Sequence, residues 1–154
     1  MRLALYQPDI PQNTGTILRL AACLAVPVDV IGPTGFDMSG RSLKRAGLDY
    51  LDHVDLTRHM SFSAFEAARH ASKPVPRLVL LTSHGAGRHI DFAFKATDIL
   101  LLGRESAGVP GDVHASVDAR IRIPMAEGLR SLNIAVAAAL VLGEALRQTD
   151  GFGE

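Results

Sequence analysis

The stretch Ile99-Leu100-Leu101-Leu102-Gly103-Arg104-Glu105-Ser106-Ala107-Gly108-Val109-Pro110 decides the fold. Asp98 to Leu102 is an apolar run of strand length without alternation. A strand with one wet face alternates apolar and polar residues; a continuous run is covered on both faces, as in a parallel sheet. Gly103 then closes the strand with a residue whose backbone another group can approach closely.

Other segments repeat the pattern. Leu3 to Tyr6, Val28 to Ile31, Arg77 to Leu81 and Ala119 to Ile123 read as further strands. Between them lie helical signals. Asn13-Thr14 precede the periodic set Ile17, Leu18, Leu20, Ala21 and Leu24, so Asn13 is expected to cap a helix that ends near Pro27. Ser42 to Ala46 fits a short helix stopped by Gly47. Ser63-Ala64-Phe65-Glu66 has capping-box spacing and opens a helix to about Ala71. A last helix is expected from Ser131 to Arg147. Strands alternating with helices predict an α/β fold, a parallel sheet covered by helices on both faces. Ligands of such sheets bind beyond the carboxyl ends of the strands. Those ends carry Gln7-Pro8-Asp9, Leu81-Thr82-Ser83, Gly103-Arg104-Glu105 and Ile123-Pro124-Met125.

A chain of 154 residues fits one domain, 1–154, with 149–154 as a loose tail. The formal net charge is zero, so a nucleic-acid surface has to be built by local clustering of arginine. The single cysteine, Cys23, excludes a disulfide framework and, among alanines and Leu24, is expected to be a buried core thiol. Pro8 and Asp9 come too early for a signal-peptide core, and the apolar run Ile134 to Leu142 is far short of the ~20 residues of a membrane span. A cytoplasmic protein with no membrane partner is expected. The same run has no polar face. A helix apolar all round is buried all round, either in the core or, as we expect, against a second copy of the chain in a homodimer.

Several motifs fail on inspection. Gly103 to Gly108 has the glycine spacing of a phosphate loop, but Val109-Pro110 stand where Lys and Ser/Thr are needed. Gly85-Ala86-Gly87 lacks the third glycine of a dinucleotide fingerprint. His84 and His89 share no helix face, and the scattered histidines with one cysteine make no zinc set, so no metal is expected.

Three segments remain. Pro11-Gln12-Asn13-Thr14-Gly15-Thr16-Ile17-Leu18-Arg19 places Arg19 inside an otherwise apolar helix; read alone, it is a surface arginine with a solvated head. Leu101 to Pro110 offers Glu105 to orient a nearby arginine; read alone, it is a strand-to-helix turn. Ile123-Pro124-Met125 with Gly128-Leu129-Arg130-Ser131-Leu132-Asn133 places Ser131 at a helix start, where free N–H groups can meet a carboxylate; read alone, Ser131 is a plain N-cap.

In this order and at these spacings the three segments resemble the signature motifs of the SPOUT methyltransferases. Leu5-Tyr6-x-Pro8-x-Ile10-Pro11-x-Asn13-Thr14-Gly15, Arg45-Ala46-Gly47-Leu48-Asp49-Tyr50, Thr57-Arg58-His59 and Arg122-Ile123-Pro124-Met125 are similar to the TrmL-type family, the tRNA (cytidine/uridine-34) 2′-O-methyltransferases. The resemblance runs from about Arg2 to Gln148. It departs at Arg104-Glu105-Ser106, where Pro-Glu-Thr is usual, and at Gly143, where a tyrosine is common.

The resemblance implies a C-terminal deep trefoil knot holding S-adenosyl-L-methionine, with S-adenosyl-L-homocysteine as product. Carried over by position, the cofactor contacts are Leu81, Gly103, Ile123 and Ser131, and the catalytic group is Arg19 with Asn13, Glu105 and Asn133 to orient it and the ribose. Gly103 is expected to keep a side chain out of the cofactor's place. A guanidinium pKa above ~12 makes Arg19 an improbable base; its expected role is to stabilise the developing alkoxide and grip the adjacent phosphate. The implied partner is a tRNA anticodon stem-loop, with Arg41, Lys44, Arg45, Arg58, His59 and Arg130 as a phosphate track. Methylation of ribosomal RNA by the same chemistry, or a non-catalytic RNA-binding domain on the same fold, are the alternatives.

Overall fold

The computed structural model describes residues 1–39, 41, 43, 50–84 and 87–153. Among these residues seven parallel strands form one sheet: β1 Arg2–Tyr6, β2 Val28–Ile31, β3 Leu56–His59, β4 Leu78–Leu81, β5 Gly87–Arg88, β6 Ile99–Leu102 and β7 Ala119–Arg122. Their order across the sheet is β3-β2-β1-β6-β4-β7-β5. The decisive run is the central strand β6, with Leu5 and Leu81 both in register with Leu102.

Both faces are covered, as the unbroken apolar runs predict. Leu3, Leu5, Val28, Val79, Leu100 and Leu102 face a cluster with Ile17 and Leu18 of α1 (Pro11–Cys23) and Val141 and Leu142 of α4 (Ile134–Gln148). Ala4, Tyr6, Leu78, Leu80, Ile99 and Leu101 face Phe65 of α2 (Phe62–Ala71) and Val113 of α3 (Gly111–Ser116). Each fully buried leucine contributes about 1.5–3 kcal/mol. Two buried carboxylates at the amino-terminal side are paired: Asp98 with Arg77 at 2.7 Å, and Asp29 with Arg2 and His59, each at 2.8 Å.

The structure corrects several expectations. Pro11 opens α1, where its missing N–H costs nothing, and Ile10 is the cap position without a side-chain cap bond; Asn13 therefore lies inside the first turn and caps nothing. The α2 cap is Ser61, which accepts from the Ala64 N–H at 3.1 Å, rather than Ser63; Glu66 is drawn instead to Arg69 at 2.8 Å. α4 starts at Ile134 with Asn133 as its cap, so Ser131 lies in the loop ahead of it. At the start of the expected tail, the Thr149 N–H and hydroxyl both bond the Ala145 carbonyl, and the Gly151 N–H bonds the Leu146 carbonyl. Cys23 is exposed at the end of α1. The edge strands β3 and β5 and the short α3 carry too few apolar residues to stand out in the sequence. The short helix expected at Ser42 to Ala46, with Lys44 and Arg45, lies largely outside the described residues.

α4 is not buried all round within one chain. Ala135, Ala138, Val141, Leu142, Ala145 and Leu146 face the core, while Val136 is 50% and Leu140 48% exposed. No helix among the described residues is long and apolar enough to cross a membrane.

Candidate active site

Because all strands run parallel, β4, β6 and β7 deliver their carboxyl ends to one edge of the sheet. A cavity of about 520 Å³ opens there. Its walls are apolar where the strands end (Leu80, Leu81, Leu102, Ile123, with Met125 and Ile134) and polar where the loops meet (Asn13, Ser83, Glu105, Ser131, Asn133). Ligand sites of this size with few converging polar groups suit a drug-sized molecule. Adenine and a short aliphatic amino acid have that mixture of requirements, so the residues present fit S-adenosyl-L-methionine. Among the described residues no three His, Cys, Asp or Glu side chains gather as a metal site.

Seven of the eight residues singled out in the sequence line this cavity: Leu81, Gly103, Ile123, Ser131, Asn13, Glu105 and Asn133. Arg19 does not. It lies exposed on α1 with its guanidinium carbon 4.8 Å from the centroid of the Tyr50 ring. At 100° per residue, Asn13 and Arg19 point about 120° apart around α1, so one helix cannot present both to one cavity.

Gly103 lines the cavity and also meets a need within its own loop. A Cβ there would stand 2.8 Å from the Gly108 backbone. Arg104 and Gly108 exchange two backbone hydrogen bonds of 2.9 Å, and Gly108 adopts φ +64°, folding the loop back on itself. Glycine is required by this self-contact, which shapes the wall of the cavity.

Glu105 is also placed otherwise than expected. Among the described residues no arginine is bonded to it in the role foreseen; its partner is Asp9. The Asp9 N–H donates to Glu105 Oε2 and the Glu105 N–H donates to Asp9 Oδ1, both at 3.2 Å. Ser106 Oγ also donates to Asp9, and Arg104 Nε stands 3.6 Å from its Oδ2. Hydrogen bonding to Glu105 and to Ser106, with the charge of Arg104, holds the Asp9 carboxyl down to about 2. Burial, then the hydrogen bond and charge of Asp9, push Glu105 up. In the sequence Asp9 stands out only as part of the strand end Gln7-Pro8-Asp9, because its partner is 96 positions away.

The polar wall is joined across the cavity mouth by one bond between asparagines. Asn133 caps α4 through its Oδ1, accepting from Ala135 N–H at 2.9 Å, and donates from Nδ2 to Asn13 Oδ1 at 2.9 Å.

This cavity sits where a topologically central strand ends in a folded-back glycine loop, and the chain that builds it is similar to known proteins. The sequence profile of the SpoU rRNA Methylase family matches residues 1–143. The chain belongs to this family. Among relatives of this SpoU-family chain, a protein of Beijerinckia indica is 60% identical over 95% of this chain and 90% of its own length. One from Ancylobacter novellus is 57% identical over 99% and 95%, and one from Escherichia coli K12 37% identical over 96% and 93%. All three are named tRNA (cytidine(34)-2′-O)-methyltransferase. A solved structure described as giving insights into the 2-OH methylation of C/U34 on tRNA superposes with a TM-score of 0.88 at 44% identity, over 96% of this chain and 94% of that one. The SpoU methyltransferase AviRb of Streptomyces viridochromogenes, in complex with AdoMet, superposes with a TM-score of 0.87 at 30% identity, over 96% of this chain and 57% of that one.

Proposed function

We propose that this protein is a methyltransferase that transfers the methyl group of S-adenosyl-L-methionine to the ribose 2′-hydroxyl of tRNA nucleotide 34, a cytidine or modified uridine. The observation that carries this reading is the full-length likeness to relatives of that name, up to 60% identical; it is supported by a cavity lined by seven of the eight residues that the family resemblance singles out. Methylation of ribosomal RNA by the same chemistry is not favoured by these relatives.

When bound, S-adenosyl-L-methionine supplies an activated methyl group. The chain's own task is then positioning, which can supply most of the rate. Leu81, Gly103, Ile123 and Ser131 would hold the cofactor, the apolar pair against adenine and Ser131 at its polar end. The deep trefoil knot implied by the family resemblance would enclose it, with residues 1–154 acting as one catalytic unit. Asn13 and Asn133, already bonded to each other, would orient the ribose. Arg19 would stabilise the developing alkoxide and grip a phosphate.

Arg19 lies outside the cavity of its own chain. A homodimer through the open face of α4 supports its role. α1 packs on α4, so a partner docked against Val136 and Leu140 would bring its own α1 to this site. The anticodon stem-loop would then lie across both subunits, on exposed arginines such as Arg41, Arg58 and Arg130. A cytoplasmic location follows from such a substrate. The test is methyl transfer to an anticodon stem-loop and to full tRNA, with mapping of the product by mass spectrometry. A 2′-O-methyl at nucleotide 34 is expected; transfer to ribosomal RNA with no signal at that position would overturn the assignment.

A further inference from the structure

The methyl-transfer reading leaves one reactant without a destination. When the O2′–carbon bond forms and the sulfur–carbon bond breaks, the electron pair of the latter stays on sulfur, and the proton of the 2′-hydroxyl has to leave. Arg19 cannot take it, because a guanidinium is already protonated.

The Asp9–Glu105 pair is built for that task. The two residues belong to loops after adjacent strands, β1 and β6, which bring positions 9 and 105 together. They exchange backbone-to-carboxylate bonds in both directions at 3.2 Å, a closed clamp with little freedom. Asp9 is fixed from behind as well: Gly35 donates its N–H to the Pro8 carbonyl at 2.9 Å, and a Cβ at Gly35 would stand 2.7 Å from the Asp9 Cβ. Glu105 lines the cavity and Asp9 does not. The oxygens of Asp9 are taken by Glu105 N–H and Ser106 Oγ, so Asp9 stays an anion. Glu105, half-buried beside that anion, gains from accepting a proton, because protonation converts a like-charge contact into a hydrogen bond. Among the described residues, the other charged or titratable groups that line this cavity are Arg104, which also stands beside Asp9, His84 after β4 and His114 on α3.

We propose that Glu105 is the acceptor of the 2′-hydroxyl proton and that Asp9 is the positioning residue that holds it against the cavity. The O2′–H bond gives its electron pair to the new O2′–carbon bond, and the proton passes to a Glu105 carboxylate oxygen and then to water. This assignment rests on the methyltransferase reading above.

Two measurements test it. The first follows the Glu105 side-chain carboxyl by carbon-13 NMR across pH in the full-length protein with S-adenosyl-L-homocysteine, wild type against Asp9→Asn and Arg104→Gln. Removing the neighbouring anion is expected to lower the Glu105 titration by on the order of one pH unit, and removing the neighbouring cation to raise it. The second is single-turnover methyl transfer against pH. Its acid limb should move the same way in each variant, and Glu105→Gln should lose about 10²–10⁴-fold at the plateau. Unchanged titration in both variants, or an acid limb that stays in place while the titration moves, overturns the proposal. A wild-type protein that transfers no methyl to any RNA refutes the function instead, and the carboxyl titration still decides whether Asp9 governs Glu105. Should Asp9→Asn fail to fold, Arg104→Gln carries both measurements and Glu105→Gln the methyl-transfer one.

Discussion

Asn133 donates from its Nδ2 to the Oδ1 of Asn13 at 2.9 Å, joining the start of the last helix to the first turn of the first helix across 120 residues. With its own Oδ1 the same Asn133 accepts from Ala135 and Val136. One side chain thus caps α4, fixes the cavity mouth and holds two distant segments in register. Asn133→Ala should cost about 0.5–2 kcal/mol, the usual loss of an N-cap. Asn13→Ala removes only the cross-link and should cost less. Urea unfolding of both single variants and the double variant checks this: the double should lose less than the sum, because the singles share one bond.

Gly103→Ala is expected to perturb the protein far beyond one methyl group. Its Cβ would stand 2.8 Å from backbone atoms of Gly108, which cannot swing aside as a side-chain end could. Overpacking of this kind costs about 1–3 kcal/mol, and the loop that bounds the cavity has to open. Titration calorimetry should show S-adenosyl-L-homocysteine binding lost or weakened at least tenfold, with a lowered Tm. At Gly143 a Cβ meets nothing within 4 Å in the chain, so Gly143→Ala should leave S-adenosyl-L-homocysteine binding unchanged.

Arg19→Ala should abolish methyl transfer and leave S-adenosyl-L-homocysteine affinity unchanged, since Arg19 is outside the cavity. Being exposed, it should alter stability by no more than about 0.5 kcal/mol. Arg19→Lys keeps the charge without the planar fork and should lose most activity as well. Tyr50→Leu removes the ring beneath the guanidinium; kcat should fall more than cofactor binding. Wild-type turnover in Arg19→Ala would end its proposed role.

The oligomer can be tested on α4. Light scattering of the wild type should give about twice 16.4 kDa. Val136 and Leu140 are about half exposed in the single chain, so Val136→Glu or Leu140→Glu need not unfold it. Each should yield a folded monomer, because only an apposed partner would bury the new charge. Mixing such a monomer with dimeric Arg19→Ala tests whether one subunit serves the other's cavity. A wild type that scatters as a monomer would refute the dimer.

Asp9 should leave a signature in acid. Its folded carboxyl sits at about 2 against an ordinary 3.8, so the unfolded chain binds its proton first as pH falls. The stabilisation is complete above about pH 4 and is lost as pH falls toward 2. Glu105, pushed up, has the opposite sign and costs stability when ionised. Urea midpoints between pH 2 and 5 should therefore show a steeper acid loss in the wild type than in Asp9→Asn.

The α/β class, the parallel sheet and the neighbourhood of the cavity were legible in the sequence. Unbroken apolar strands such as Ile99 to Leu102 have only one stable environment, between two helical layers, and ligands of such sheets lie beyond the strand ends. The family motifs then marked seven residues that do line one cavity. Tertiary structure alone decided what each residue contacts. Asp9 meets Glu105 because β1 and β6 are neighbours in space though four strands intervene in the chain. Asn13 bonds Asn133 instead of capping its own helix, because Pro11 opens that helix a turn earlier. Gly103 is glycine because Gly108 folds back on it. Local periodicity reports which face of an element is buried; it carries no information about which distant element fills that face, since that choice is made by packing and hydrogen bonds between segments the chain brings together only on folding.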